Sequence, residues 1–87
     1  MTVRVRLFAA LRELAGSSHV EAVGRTVGDV ADALSSAHGE RFAAIAAVSS
    51  FVVNGERATR TTVVAEGDEV AILPPVSGGA AEGSSGG

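Results

Sequence analysis

Val3, Val5 and Leu7 recur at every second position of Thr2–Leu7, with Arg4 and Arg6 between them. A period of two predicts a strand with one buried face. Over Ala9–Ala15 the pattern changes to that of a short helix, and Gly16 is placed to close it in the left-handed conformation. Ser18–Val23 reads as a weaker strand, with Val20 and Ala22 facing opposite His19 and Glu21. Thr26–Gly39 carries the best helical signal: Val27, Val30, Ala31 and Leu34 form one apolar stripe at i, i+3, i+4 and i+7. Thr26 and Asp29 have the spacing of a capping box, although the strict form uses Glu or Gln in the second place. Gly39 fits the stop. Glu40–Val48 predicts a further helical turn or two, with Phe42, Ile45 and Ala46 inward.

Phe51–Glu56 predicts a strand entering an Asn54-Gly55 turn, the strongest short-range hairpin signal. A return strand follows from Arg57, then a turn at Glu66-Gly67-Asp68 and a last strand over Val70–Leu73. The continuous apolar run of that last strand predicts an inner strand covered on both faces. Pro74-Pro75 cannot donate to a ladder, so the sheet stops there and the chain leaves it extended. The element order is strand, short helix, strand, long helix and three strands, with the first and last strands central. The expected class is α+β: a small mixed sheet packed on one main helix over residues 1–73, followed by a flexible tail over residues 74–87.

Composition narrows the function. Eighty-seven residues make one domain with a thin core. The only aromatic residues are three phenylalanines, Phe8, Phe42 and Phe51, and the net charge is −3 with no basic cluster. Both features argue against nucleic acid or anionic lipid as a partner. The absence of cysteine removes disulfides, thiolate metal sites and a cysteine nucleophile. No signal pattern or membrane span is apparent, so a cytoplasmic protein is expected. All seven basic residues are Arg and none is Lys. A genome rich in Arg codons accounts for that, as does a chain with an activated terminus that gains by offering no amine of its own.

Candidate chemistry in the body of the chain is sparse. His19 and His38 lie far apart and lack metal-ligand spacing, which favours ordinary surface histidines. Glu66, Asp68 and Glu69 read as a solvated acidic turn, and no phosphate-binding glycine motif is present. No metal site is expected. The tail differs: Gly-Gly occurs at Gly78-Gly79 and again at Gly86-Gly87. Lacking Cβ atoms, such an end is narrow enough to thread a tight channel and present a carboxylate to another protein's active site. Gly/Ser-rich ends are also commonly mere spacers.

The stretches "RLFAALRELAG", "TVGDVADAL", "VVNGE" and "GDEVAILPPVSGG" together cover nearly all of residues 3–79. In this order they resemble the small subunit of molybdopterin synthase, in the MoaD/ThiS family of ubiquitin-like sulfur carriers. The last stretch is the specific one. The resemblance implies a β-grasp fold and a sulfur donor that is not an enzyme on its own and binds no permanent cofactor. An adenylating partner would use ATP to activate the glycine matching Gly79, a sulfurtransferase would supply the sulfur, and the result would be a thiocarboxylate. The charged carrier would dock on the large synthase subunit, two carriers per large-subunit dimer, and donate sulfur to the pterin precursor in molybdenum cofactor biosynthesis. Pro74, Pro75, Val76, Ser77 and Gly78 would form the threaded arm. Phe8, Leu73 and Val76 would form an apolar contact patch with Arg12 at its rim, although Phe8 could equally belong to a minor core cluster.

The departure from the family is the end, where "AAEGSSGG" follows Gly79. Three readings stand: a processing protease trims the chain after Gly79; Gly86-Gly87 is the working end; or residues 80–87 are an artefact or a block to activation. Rival functions stand beside sulfur carriage for molybdopterin. One is a ubiquitin-like modifier joined through its terminal glycine, as archaeal modifiers with similar "PPVSGG" ends suggest. Others are a carrier for thiamine, cysteine or tRNA thiolation, and a β-grasp binding module with an inert tail.

Overall fold

The computed structural model describes residues 2–75. The elements are β1 (Thr2–Leu7), α1 (Ala9–Ala15), β2 (His19–Val23), α2 (Val27–His38), α3 (Glu40–Ala47), β3 (Ser50–Val53), β4 (Glu56–Ala58) and β5 (Glu69–Leu73). They form one five-stranded sheet in the order β2-β1-β5-β3-β4. β1 and β5 run parallel at its centre, and the remaining neighbours are antiparallel. Among the described residues no helix is long and apolar enough to cross a membrane.

The alternation in β1 does what its period implies. Val3, Val5 and Leu7 are buried and Arg4 and Arg6 are exposed. The buried set meets Val70 and Ile72 of β5, Leu11 of α1, Val27, Val30, Ala31 and Leu34 of α2, and Phe42 and Ala46 of α3. Among the described residues no polar or charged side chain is buried with them. Each fully buried Val, Leu, Ile or Phe stabilises the fold by about 1.5–3 kcal/mol, so a core this small depends on every member. α3 is about two turns long, as its sequence leads one to expect, and Phe42 and Ala46 are its buried residues.

The start of α2 is secured by the segment between β4 and β5. A helix leaves its first backbone N–H groups without internal partners. Here the Val27 N–H donates to the Thr62 carbonyl (2.9 Å) and the Gly28 N–H to the Arg60 carbonyl (2.8 Å). The Asp29 N–H donates to Thr26 Oγ1 at 3.1 Å. The Asp29 carboxylate receives the Arg25 N–H at 3.2 Å. A Glu in that place would be expected to reach back to the capping residue itself; the shorter Asp closes on the residue before it.

Positive φ shapes the hairpin between β3 and β4 and the end of α1. Asn54 and Gly55 have φ of 50° and 86°, as a two-residue hairpin with the sheet's twist demands. Gly16 closes α1 at φ 79°, its N–H donating to the Arg12 carbonyl.

The last strand departs from expectation. Val70 and Ile72 are buried, whereas Ala71 and Leu73 are only half-buried. The helices cover one face of the sheet, and among the described residues no second layer covers the other. The apolar run in β5 therefore supplies a core face and an apolar strip on an open face.

Candidate functional site

The open face of the sheet can be read row by row from the strand register, because partners across neighbouring strands share a face. One row runs Glu21, Arg4, Glu69. The next, nearer the point where the chain leaves the sheet, runs His19, Arg6, Ala71, Val52, Arg57. Beyond it Leu73 pairs with Ser50, and Phe8 follows the end of β1. The first row sets Arg4 between two carboxylates. The second has an apolar centre, Ala71 and Val52, with arginines on both sides and no acid. On a chain of net charge −3, this half of the face is locally cationic.

Phe8 is half-buried, and the Arg6 guanidinium carbon lies 5.4 Å from its ring centroid. A cation–π contact at an exposed site contributes about 0.5–1 kcal/mol, enough to hold both side chains in place. Phe8 is also the N-cap of α1, without a side-chain cap bond. Its carbonyl accepts the N–H groups of Leu11 (3.1 Å) and Arg12 (3.4 Å). The next residue, Ala9, has φ 51°. That left-handed step turns the chain from strand to helix immediately after Phe8.

Of the residues singled out in the sequence, Phe8, Leu73, Pro74 and Pro75 gather at the exit end of the two central strands. Leu73 and Pro74 are half-buried and Pro75 is exposed. Arg12 is exposed on α1 and tied to Phe8 through the backbone. Val76, Ser77, Gly78, Gly79, Gly86 and Gly87 lie outside the described residues. Arg6, Val52, Arg57 and Ala71 share the face and escape a reading of the sequence alone. Alternation within β5 would have flagged Ala71, but Val52 and Arg57 join it only through the register of β3 with β4 and β5.

The acidic turn proves to be structural. Glu66 Oε1 accepts the Thr2 N–H at 2.9 Å. Asp68 Oδ2 accepts the Ala65 N–H at 2.8 Å, and its other oxygen receives the Asn54 amide at 3.1 Å. These two bonds, the Ala65 one foremost, hold the Asp68 carboxyl below the ordinary aspartate range. Among the described residues no group of His, Asp and Glu is arranged to hold a metal. His38 packs on Phe42, ring centroids 5.4 Å apart, and His19 Nδ1 lies 3.1 Å from Ser18 Oγ. The described residues thus present an open sheet face with an apolar centre flanked by arginines, beside the point where the chain leaves β5.

The family model described as the ThiS family matches residues 5–79. The chain belongs to the ThiS family. It is a ubiquitin-like sulfur carrier of the ThiS/MoaD type, with the β-grasp fold. Small archaeal modifier protein 1 of Haloferax volcanii is 42% identical over 88 residues, covering 85% of this chain and 97% of the relative. The crystal structure of that modifier matches with a TM-score of 0.75 at 38% identity, covering 91% of this chain and 100% of that one. A putative molybdopterin converting factor subunit 1 from Pyrococcus furiosus matches with a TM-score of 0.75 at 29% identity, covering 87% and 99%. The Amycolatopsis orientalis BexX/CysO complex contains a chain matching with a TM-score of 0.74 at 31% identity, covering 88% and 99%. This ThiS-family chain is therefore similar to a modifier, to a putative molybdopterin subunit and to a protein solved with a partner. The family match runs through Gly79 and stops short of the last eight residues.

Proposed function

We propose that a protease first hydrolyses the Gly79–Ala80 bond, and that this protein then carries sulfur as a thiocarboxylate on the freed Gly79 and donates it within a partner complex of the molybdopterin synthase type. A carboxylate is anionic and resonance-stabilised, so it must first become an acyl-adenylate. ATP and an adenylating partner supply that step: the carboxylate oxygen attacks the α-phosphorus and pyrophosphate leaves. Sulfur then displaces AMP at the acyl carbon. The carrier's own residues contribute recognition: Phe8 and Leu73, with Ala71 and Val52, give a partner an apolar centre, and Arg6, Arg12 and Arg57 surround it with cations. Pro74 to Gly78 carry the acyl carbon away from the sheet into the partner's site. The protein works in the cytoplasm, where ATP is available.

The observation that carries this reading is the parallel pairing of β1 with β5. It brings Phe8 and the exit of the arm to one end of an open face. The specific "PPVSGG" continuation within the family match supports Gly79 as the acyl position.

A second reading is supported by the 42% identity to an archaeal modifier: acyl transfer from Gly79 to a lysine amine of a target protein. Intact mass spectrometry of the protein from its native cell separates the two. A mass for residues 1–79 with one oxygen replaced by sulfur supports the carrier. Adducts carrying this chain on target lysines support the modifier. Sulfur on a full-length chain would move the working end to Gly87. Only unmodified full-length chain, even with the adenylating partner and ATP, would sink both.

A further inference from the structure

We infer that Asn54-Gly55 is a fold-gated deamidation site: the native fold clamps the Asn54 carboxamide away from the Gly55 nitrogen, unfolding frees it, and the carboxylate then formed opposes the return to the fold. This does not depend on sulfur carriage. Asn54 is the single Asn of the chain and no Gln is present, so it holds the protein's one side-chain amide. Asparagine is a thermally labile residue. Before glycine it is open to attack by its own backbone, because glycine has no Cβ to shield the following nitrogen. In that reaction the Gly55 nitrogen bonds to Asn54 Cγ and gives up its proton. The Cγ–Nδ2 bond breaks, and ammonia leaves with the bonding pair and that proton. Water then opens the five-membered imide at either carbonyl, leaving an aspartate or an isoaspartate. Water is the one co-reactant, and Asn54 and Gly55 are both exposed to it.

In the folded chain the carboxamide is engaged at both ends. Its Oδ1 accepts the Glu69 N–H at 3.0 Å, and its Nδ2 donates to Asp68 Oδ1 at 3.1 Å. These partners fix which end of the amide is oxygen, since a backbone N–H needs an acceptor and a carboxylate needs a donor. The Asn54 N–H also donates to the Glu69 carbonyl at 2.9 Å, so backbone and side chain grip the start of β5 together. Imide closure needs the side chain to fold back onto its own following peptide. Here it reaches across to the turn before β5 instead. Two ordinary hydrogen bonds lost together place the freed state at about one molecule in thirty.

Neither product fits the same place. An aspartate at position 54 would put a carboxylate oxygen where Nδ2 now lies, 3.1 Å from Asp68 Oδ1. Asp68 is itself held as a carboxylate by the Ala65 N–H at 2.8 Å. Two like charges would meet and the donor between them would be gone. An isoaspartate adds a methylene to the main chain of a two-residue turn whose residues stand at φ 50° and 86°. That turn sets the register of β3 with β4, so the added atom disturbs it. Either product loosens β3 from its neighbours, and a chain that has spent time unfolded carries the mark.

The test incubates the full-length chain in mildly alkaline buffer, both folded and in guanidinium chloride strong enough to abolish its circular dichroism. With a single amide in the sequence, the amide-to-acid mass gain of the intact chain counts the reaction directly. Peptide mapping separates aspartate from isoaspartate at position 54. The unfolded chain is expected to deamidate faster by about tenfold or more. Equal rates, or no deamidation in either state, overturn the inference. Substitution tests the product. Asn54→Asp should lower the melting temperature by about 4 °C or more. Combining it with Asp68→Asn restores a donor between the two side chains and should recover most of that loss. An Asn54→Asp chain that melts with the native protein, or a double variant that melts no higher than Asn54→Asp, overturns the claim that the product opposes the fold.

Discussion

Phe8 and its neighbours show how much rests on single residues. Ala9 adopts φ 51°, which costs a non-glycine residue about 1–2 kcal/mol. Ala9→Gly should remove most of that strain, offset in part by glycine's freedom when unfolded, and raise the unfolding free energy by up to about 1 kcal/mol. Urea denaturation checks it, and a loss of stability would show that the step is not strained. Phe8→Ala should leave the sheet folded while weakening binding to the adenylating partner about tenfold or more, as for a central aromatic in an interface. Calorimetric titration reads this, and unchanged affinity would remove Phe8 from the docking face. Asp68 gives a pH prediction. Its folded pKa lies below its unfolded value because the Ala65 N–H and the Asn54 amide favour the carboxylate. Its contribution is present above the unfolded pKa and is lost as pH falls through the folded one. Acid titration of Asp68→Asn should therefore show a shallower loss of stability below pH of about 4.

At the scale of elements, α2 and the segment before β5 stabilise each other. Thr26→Ala removes the cap on the Asp29 N–H and should cost about 1 kcal/mol. Gly24 precedes the cap, and a Cβ there would stand 2.8 Å from the Asp29 Cβ and 2.9 Å from the Val30 nitrogen. Gly24→Ala should cost about 1–3 kcal/mol through that overlap. Equal stability in thermal melts would show that α2 can shift to accommodate it. The Thr26–Asp29 spacing was legible in the sequence. The need for Gly24 was not, because its close neighbours lie on the following helix.

The whole molecule divides its labour between the two faces of the sheet. Phe42 is fully buried beneath α3, and Phe42→Ala should cost about 3–5 kcal/mol of a total stability near 5–15. A sharply lowered melting temperature is the expected result. The open face carries none of that load, so Arg6 and Arg57 can be exchanged there while the fold stays intact.

Periodicity determined most of the elements by itself. Val3, Val5 and Leu7 specified a one-faced strand, Val27 to Leu34 a helix and Asn54-Gly55 a hairpin, because those signals lie in residues adjacent along the chain. The motif ending in "PPVSGG" was likewise local, as was the absence of lysine. What only the tertiary structure decided was which residues share the face beside the exit. Phe8, Arg6, Ala71, Val52 and Arg57 meet through a parallel pairing between the first and last strands and an antiparallel register beyond it. A one-residue slip of either would send each side chain to the opposite face. The apolar run in β5 misled for the same reason: its sequence is continuous, but one side packs on the helices while the other lies half-buried on the open face.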